Sequence, residues 1–201
     1  TPDMTLQSAE AALAALQGIA GALVIVDNAS GDGSFEKLAA AVAARGWDQG
    51  PQQVRVLQSG RNGGFGAGNN FGIRAGLPGG SKPDYVYILN SDAFPAPEAI
   101  RALMDHLETH PATGFAGSHI HGPEGEPHRT AFRFPSVLGE FEQNIRFGPV
   151  SKLLKSHIVA QPLPTVTTRV DWLAGASMMM RQKVLDEIGL FDEVFFLYFE
   201  E

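Results

Sequence analysis

Apolar and polar positions along the chain alternate between helical and strand-like stretches. Ala9, Leu13 and Leu16 recur at helical spacing behind Ser8, a residue suited to cap a helix, and Gly18 to Gly21 would end it. Residues 22–26 are short and continuously apolar, as a strand covered on both faces should be. The turn Asp27-Asn-Ala-Ser-Gly-Asp-Gly33 leads into a helix capped by Ser34 and closed near Gly46. The alternation continues with a strand at 54–57, a Gly/Asn loop and a short helix to Leu77. A third strand, Tyr85–Leu89, precedes the turn Asn90-Ser-Asp92 and a helix over 98–109. This order predicts an α/β fold on a mostly parallel sheet, with helices on both faces.

In such a sheet ligands bind beyond the carboxyl ends of the strands, which singles out the loops beginning at Asp27, Ser59 and Asn90. Five of the six asparagines (Asn28, Asn62, Asn69, Asn70 and Asn90) fall in those loops or at the helix start just after one. Residues 111–165 lose the periodicity and are rich in Pro and Gly, so an irregular insertion is expected there. Its His119-x-His121 and nearby His128 lack a fourth partner and read as solvated loop histidines. Order returns with a strand expected at 165–172, the apolar residues 178–180 and a helix over Gln182–Ile188.

Composition narrows the classes. With 15 Lys+Arg against 22 Asp+Glu the formal net charge is −7, which argues against nucleic acid as a partner. There is no cysteine, which removes disulfides, thiol catalysis and Cys-ligated metal. No 18-residue apolar stretch predicts a transmembrane segment. The chain opens directly on a helical pattern and stops just after the apolar run 194–199. This predicts one domain, residues 1–201, excised from a longer protein at both ends.

Three loops carry candidate chemistry. Gly60-Arg-Asn-Gly-Gly-Phe-Gly-Ala-Gly-Asn-Asn70 follows a strand and opens a helix, so its amides are placed to meet a phosphate. It is not a dinucleotide fingerprint, because Asn69 stands where the third Gly belongs. Asn28-x-Ser30-x-Asp32-Gly33 is not a calcium loop, since Ala39 occupies the position that needs a bidentate Glu. Asp27 then serves either a base or sugar, or simply its own turn. Asp92 offers one hard carboxylate for a Mg²⁺ or Mn²⁺ bridging two phosphates, or else caps the next helix. Glu200 and Glu201 close an aromatic segment and suit a general base, or a solvated acidic end.

In order and spacing, these blocks resemble the family 2 glycosyltransferases of the GT-A fold, particularly rhamnosyltransferase-like members. The resemblance rests on Val26-Asp-Asn-Ala-Ser-Gly-Asp-Gly-Ser34, Asn62-Gly-Gly-Phe-Gly-Ala-Gly-Asn-Asn70 and Leu89-Asn-Ser-Asp92. It continues through Trp172-Leu-Ala-Gly-Ala176, Gly189-Leu-Phe-Asp-Glu193 and Phe196-x-Tyr198-x-Glu200. It implies a GT-A sheet lacking its first strand, and inverting transfer from a nucleoside-diphosphate sugar (dTDP-rhamnose or UDP-sugar type) to an acceptor hydroxyl in polysaccharide or cell-surface glycan synthesis. The acceptor would be a glycan, a lipid-linked sugar or a small molecule, and the place of work cytoplasmic, peripheral at the inner face of the membrane.

By that resemblance the donor would be framed by Asp27, Asn28, Arg61, Asn62, Gly64, Phe65, Gly66, Asn69, Asn90 and Asp92. Asp92 would hold the metal, with Asn90 standing where fuller metal motifs carry Asp. Trp172, Gly175 and Ala176 would form the loop where donor sugar and acceptor meet. Glu201 would be the base in place of the usual Asp, with Glu200 as its alternative. The competing readings are a non-catalytic or degenerate sugar-nucleotide-binding module and a sugar nucleotidyltransferase.

Overall fold

The computed structural model describes residues 1–128, 130–134, 136–137, 141, 145, 159 and 164–197. The chain divides into two compact units, one formed by residues 1–116 and the segment from Gly175 onward, the other by 117–174.

The first unit opens with α1 (Pro2–Ala15), β1 (Leu23–Asp27), α2 (Ser34–Ala44), β2 (Val54–Gln58), α3 (Gly64–Ala75), β3 (Tyr85–Leu89) and α4 (Ala99–Thr109). β1 and β2 pair in parallel, from Leu23 opposite Val54 to Asp27 opposite Gln58. The unbroken apolar run of β1 is explained by helices on both its faces. Ile25 joins Ala9, Leu38, Val42 and Val54 in a buried cluster under α1 and α2. On the alternate face, Val24 and Val26 meet Gly72 of α3. Each large apolar side chain so buried contributes about 1.5–3 kcal/mol.

A second ladder places β9 (Ser177–Arg181) between β3 and β4 (Phe115–Gly117). β3 and β9 run antiparallel, Tyr85 opposite Arg181 and Leu89 opposite Ser177. The apolar residues 178–180 are therefore a buried strand, followed by α5 (Gln182–Ile188). Ile100 and Leu107 of α4 pack with Met179, Ala15 and Ile19 to close this half. Among the described residues the two ladders are separate.

The second unit holds the short pairs β5 (Ile120–His121) with β6 (Pro127–His128), and β7 (Ala131–Phe132) with β8 (Trp172–Leu173). The strand expected over 165–172 shrinks to Trp172–Leu173, and 165–169 are exposed. Its Thr and Val residues have the right propensity, but among the described residues no strand pairs with 165–169. Two expected caps also differ. Ser8 is buried inside α1, donating its hydroxyl to the Ala93 carbonyl at 2.7 Å and the Asn90 carbonyl at 3.3 Å. Ser34 does not cap α2; its amide donates to Asp32 Oδ1 at 2.9 Å, and Ser34's bonds hold the Asp32 carboxyl below its ordinary range.

Candidate functional site

β1 delivers Asp27 to the sheet edge, where it is 5% exposed. Its Oδ1 accepts from Ser30 Oγ at 2.5 Å, and its Oδ2 from the Ser30 amide at 3.3 Å and Gln58 Nε2 at 3.2 Å. The acid thus organises its own turn, which doubles back through Ala29 at φ +61° and Gly31 at φ +68°. Asn28 joins this turn to the loop after β2. Its Nδ2 donates to Asn62 Oδ1 at 3.2 Å and the Gly64 carbonyl at 2.9 Å, while its Oδ1 accepts from Ser59 Oγ at 3.0 Å.

The Gly/Asn loop is helical from Gly64 onward, which gives its glycines a different task from the one expected. Gly64, Gly68 and Gly72 recur every fourth residue and so share one face of α3. A Cβ on Gly68 would stand 3.3 Å from Asn28 Nδ2, and one on Gly72 3.1 Å from Val26 Cγ2. At Gly64, φ +88°, a Cβ would collide with the Phe196 carbonyl. Two of the amides that open this helix bond protein acceptors: Gly64 donates to Asn62 Oδ1 at 3.2 Å and Phe65 to the Phe196 carbonyl at 3.1 Å. On this face the glycines permit close approach of backbone and side chains. Asn69 turns back to the Phe65 carbonyl at 3.0 Å.

β3 delivers Asn90, whose amide donates to the Ala176 carbonyl at 3.0 Å, tying this edge to the turn before β9. Asp92 sits in the following turn, exposed, with no hydrogen bond to its carboxylate among the described residues. It does not cap α4, which starts seven residues later at Ala99. Gly175 is buried beside Ala176. Trp172 belongs to the other unit, in β8, with its ring 5.8 Å from Phe132. Glu200 and Glu201 lie outside the described residues.

One open cavity of about 1510 Å³ is lined by Asp27, Asn28, Gly64, Phe65, Asn69, Asn90 and Asp92, and by β1 and β3 along their whole length. Seven of the ten expected donor residues therefore face one space; Arg61, Asn62 and Gly66 do not line it. Among the described residues no group of three His, Asp or Glu could enclose a metal ion. Asp92, like Asp84 a cavity-lining carboxylate with no side-chain bond among the described residues, suits a cation that takes its other ligands from a diphosphate and water.

Two residues outside the expected set tie this site together. Asn70 is fully buried; its Nδ2 donates to the Phe191 carbonyl at 2.8 Å and Glu193 Oε1 at 3.0 Å, and its Oδ1 accepts from the Phe191 amide at 3.0 Å. Glu193 also pairs with Arg74 at 2.9 Å and Arg61 at 3.0 Å. The Asn70 amide and then Arg74 hold the Glu193 carboxyl below its ordinary range. The available signal was the pair of asparagines closing the Gly run, of which only Asn69 was taken as facing the ligand.

The family model "Glycosyl transferase family 2" matches residues 11–189. An N-acetylglucosaminyl-diphospho-decaprenol L-rhamnosyltransferase of Mycobacterium tuberculosis is 30% identical over 189 residues, covering 89% of this chain and 58% of the relative. The low-salt glycan biosynthesis hexosyltransferase Agl10 of Haloferax volcanii is 28% identical over 158 residues, covering 74% of this chain and 44% of the relative. The chain thus spans about half the length of these curated relatives.

Proposed function

Because the chain belongs to glycosyl transferase family 2, we propose that it forms the donor-binding part of an inverting hexosyltransferase for glycan synthesis. The observation that carries this reading is the convergence of Asp27, Asn28, Asn69, Asn90 and Asp92 on one cavity at the strand ends. The donor is a nucleoside-diphosphate sugar of dTDP-rhamnose or UDP-sugar type. Asp27 and Asn28, already fixed by Ser30, Gln58 and Ser59, present a rigid polar rim to base and ribose. Asp92 would hold Mg²⁺ or Mn²⁺, which supplies charge neutralisation for a leaving diphosphate. The acidic pair Glu200–Glu201 supplies the base, Glu201 first, which takes the acceptor hydroxyl proton as that oxygen attacks the anomeric carbon. Holding both substrates in one orientation supplies much of the acceleration.

The mycobacterial relative is named for a diphospho-decaprenol acceptor, and a lipid-linked acceptor is the reading for this chain as well. No helix among the described residues is long and apolar enough to cross a membrane. Contact with such an acceptor is then peripheral, at the cytoplasmic face.

Calorimetry with UDP and dTDP, with and without Mn²⁺, tests donor binding, and Glu201→Gln tests the chemistry. Turnover should fall by about 10³-fold in that variant, the middle of the range for losing a general base, with nucleotide affinity retained. Cation-independent or absent binding would overturn the metal-dependent transferase reading, and retained turnover would move the base to Glu200. Binding by the unsubstituted chain without any transfer would favour a non-catalytic module.

A further inference from the structure

Residues 190–197 carry no helix or strand in the structure, yet they are bonded to α3 at both ends of the stretch. Phe191 gives its amide and its carbonyl to the side chain of Asn70, a two-point bond of the kind that adjacent strands exchange. Glu193 adds the same Asn70 together with Arg61 and Arg74. Phe196 accepts from the Phe65 amide, where Gly64 leaves room for its carbonyl. The Phe65 and Phe191 rings meet edge to face at 6.2 Å. A fully buried amide is costly unless its donors and acceptor are matched, and Asn70 matches all of them here. It bonds backbone and a carboxylate rather than apolar surface, so it reads the path of the 190s segment rather than its bulk. That path leads, five residues after Phe196, to Glu201.

We propose that Asn70 and Glu193 are positioning residues, which lock the segment bearing the base onto the helix that faces the nucleotide. This rests on the reading of Glu200–Glu201 as the base pair. Neither residue touches substrate. Their effect is to fix residues 191–196, which precede the acidic pair in sequence, against α3, which carries Phe65 and Asn69 on the cavity. A base must lie within about 2.6–3.2 Å of the oxygen whose proton it removes, so the loss of that register reaches the chemical step without passing through donor affinity.

The test compares Asn70→Asp, Glu193→Ala and Glu193→Gln with Glu200→Gln and Glu201→Gln in the active enzyme. For each, kcat, acceptor KM, the pH profile of kcat and the dissociation constant of UDP or dTDP with Mn²⁺ are measured. Asn70→Asp sets a carboxylate against the Phe191 carbonyl and Glu193. Its kcat should fall by about 100-fold, the cost of roughly 1 Å of misplacement, while nucleotide affinity changes by no more than about threefold. Glu193→Ala should show the same split. Glu193→Gln, which keeps an acceptor for Asn70, should recover most of kcat.

Unchanged kcat in Glu193→Ala, or equal losses of kcat and nucleotide affinity, overturns the proposal. If Asn70→Asp does not fold, the more exposed Glu193 pair of variants decides alone. If Glu200→Gln and Glu201→Gln both turn over normally, the base reading itself has failed and the positioning role falls with it. If one of them is dead while Glu193→Ala is fully active, only the positioning role has failed.

Discussion

Asp27, at the end of β1, and Asp92, in the turn after β3, line one cavity in opposite circumstances. Asp27 is 5% exposed, with Ser30 and Gln58 on its oxygens; Asp92 is exposed and unbonded among the described residues. The difference follows from what lies beyond each strand. After β1 comes a tight turn locked to the loop after β2 through Asn28, and that loop opens a helix itself locked to the 190s segment. After β3 comes an open stretch to Ala99, held at its start by Ser8 and Ala176. A carboxylate consumed by its own turn gives shape, and one left in water gives charge. The proposed site for a diphosphate sugar calls for both, with the work divided between the two loops.

The most severe way to break that division is to loosen the locked side. Gly64→Ala places a Cβ against the Phe196 carbonyl at a φ of +88°. The positive φ and the overpacking together should cost about 3 kcal/mol, read as a loss of denaturant midpoint at unchanged slope. A loss below about 0.5 kcal/mol would mean that the 190s segment moves aside freely, and the locked character assigned to this loop would be lost.

The same contrast separates what the sequence revealed from what it did not. The strands at 22–26 and 85–89 were legible as unbroken apolar runs, and 54–57 as a short apolar stretch interrupted only by Arg55; the strand-end rule then found Asp27, Asn90 and Asp92. Ser8 was misread as a cap because its hydrogen-bond partners, Asn90 and Ala93, are 82 and 85 positions away. The glycines of α3 were read by their neighbours in sequence, as a loop. Their spacing of four only acquires meaning once β1 and Phe196 are known to lie against that face. Asn70 and Glu193 each stand in a recognisable motif, but the bond that joins them across 123 positions has no local signature. Local chemistry was visible, and the bonds that organise it were not.

A milder perturbation titrates one lock without cutting it. Glu193 ionises below its ordinary range because Asn70, then Arg74 and Arg61, favour the charged form. A carboxylate with a depressed folded-state pKa contributes stability that is fully present above its unfolded value, about 4.3, and is lost as pH falls through the lowered folded value. The unfolding midpoint of the unsubstituted chain should therefore exceed that of Glu193→Gln by a constant margin from neutrality down to the unfolded value of about 4.3. Below it the margin should close. A margin that stays constant through the acid range would show that the ionised form of Glu193 adds nothing to the junction.

The smallest expected effect on stability falls at the open side, and it is the most informative about function. Asp92→Asn removes a charge from an exposed turn where no hydrogen bond holds it, so stability should stay within about 0.5 kcal/mol. The amide keeps the shape of the side chain but is a far poorer ligand for a hard cation. UDP or dTDP binding should therefore lose its Mn²⁺ dependence while the cation-free component persists, because Asp27, Asn28 and Asn69 are untouched. Calorimetry at two Mn²⁺ concentrations separates the components. Retained Mn²⁺ dependence would place the cation on another carboxylate, and a loss of the cation-free component would show that Asp92 shapes the cavity rather than lending it charge. The comparison holds only if the two aspartates fail differently: one loop by collapsing, the other by remaining intact and no longer attracting its ion.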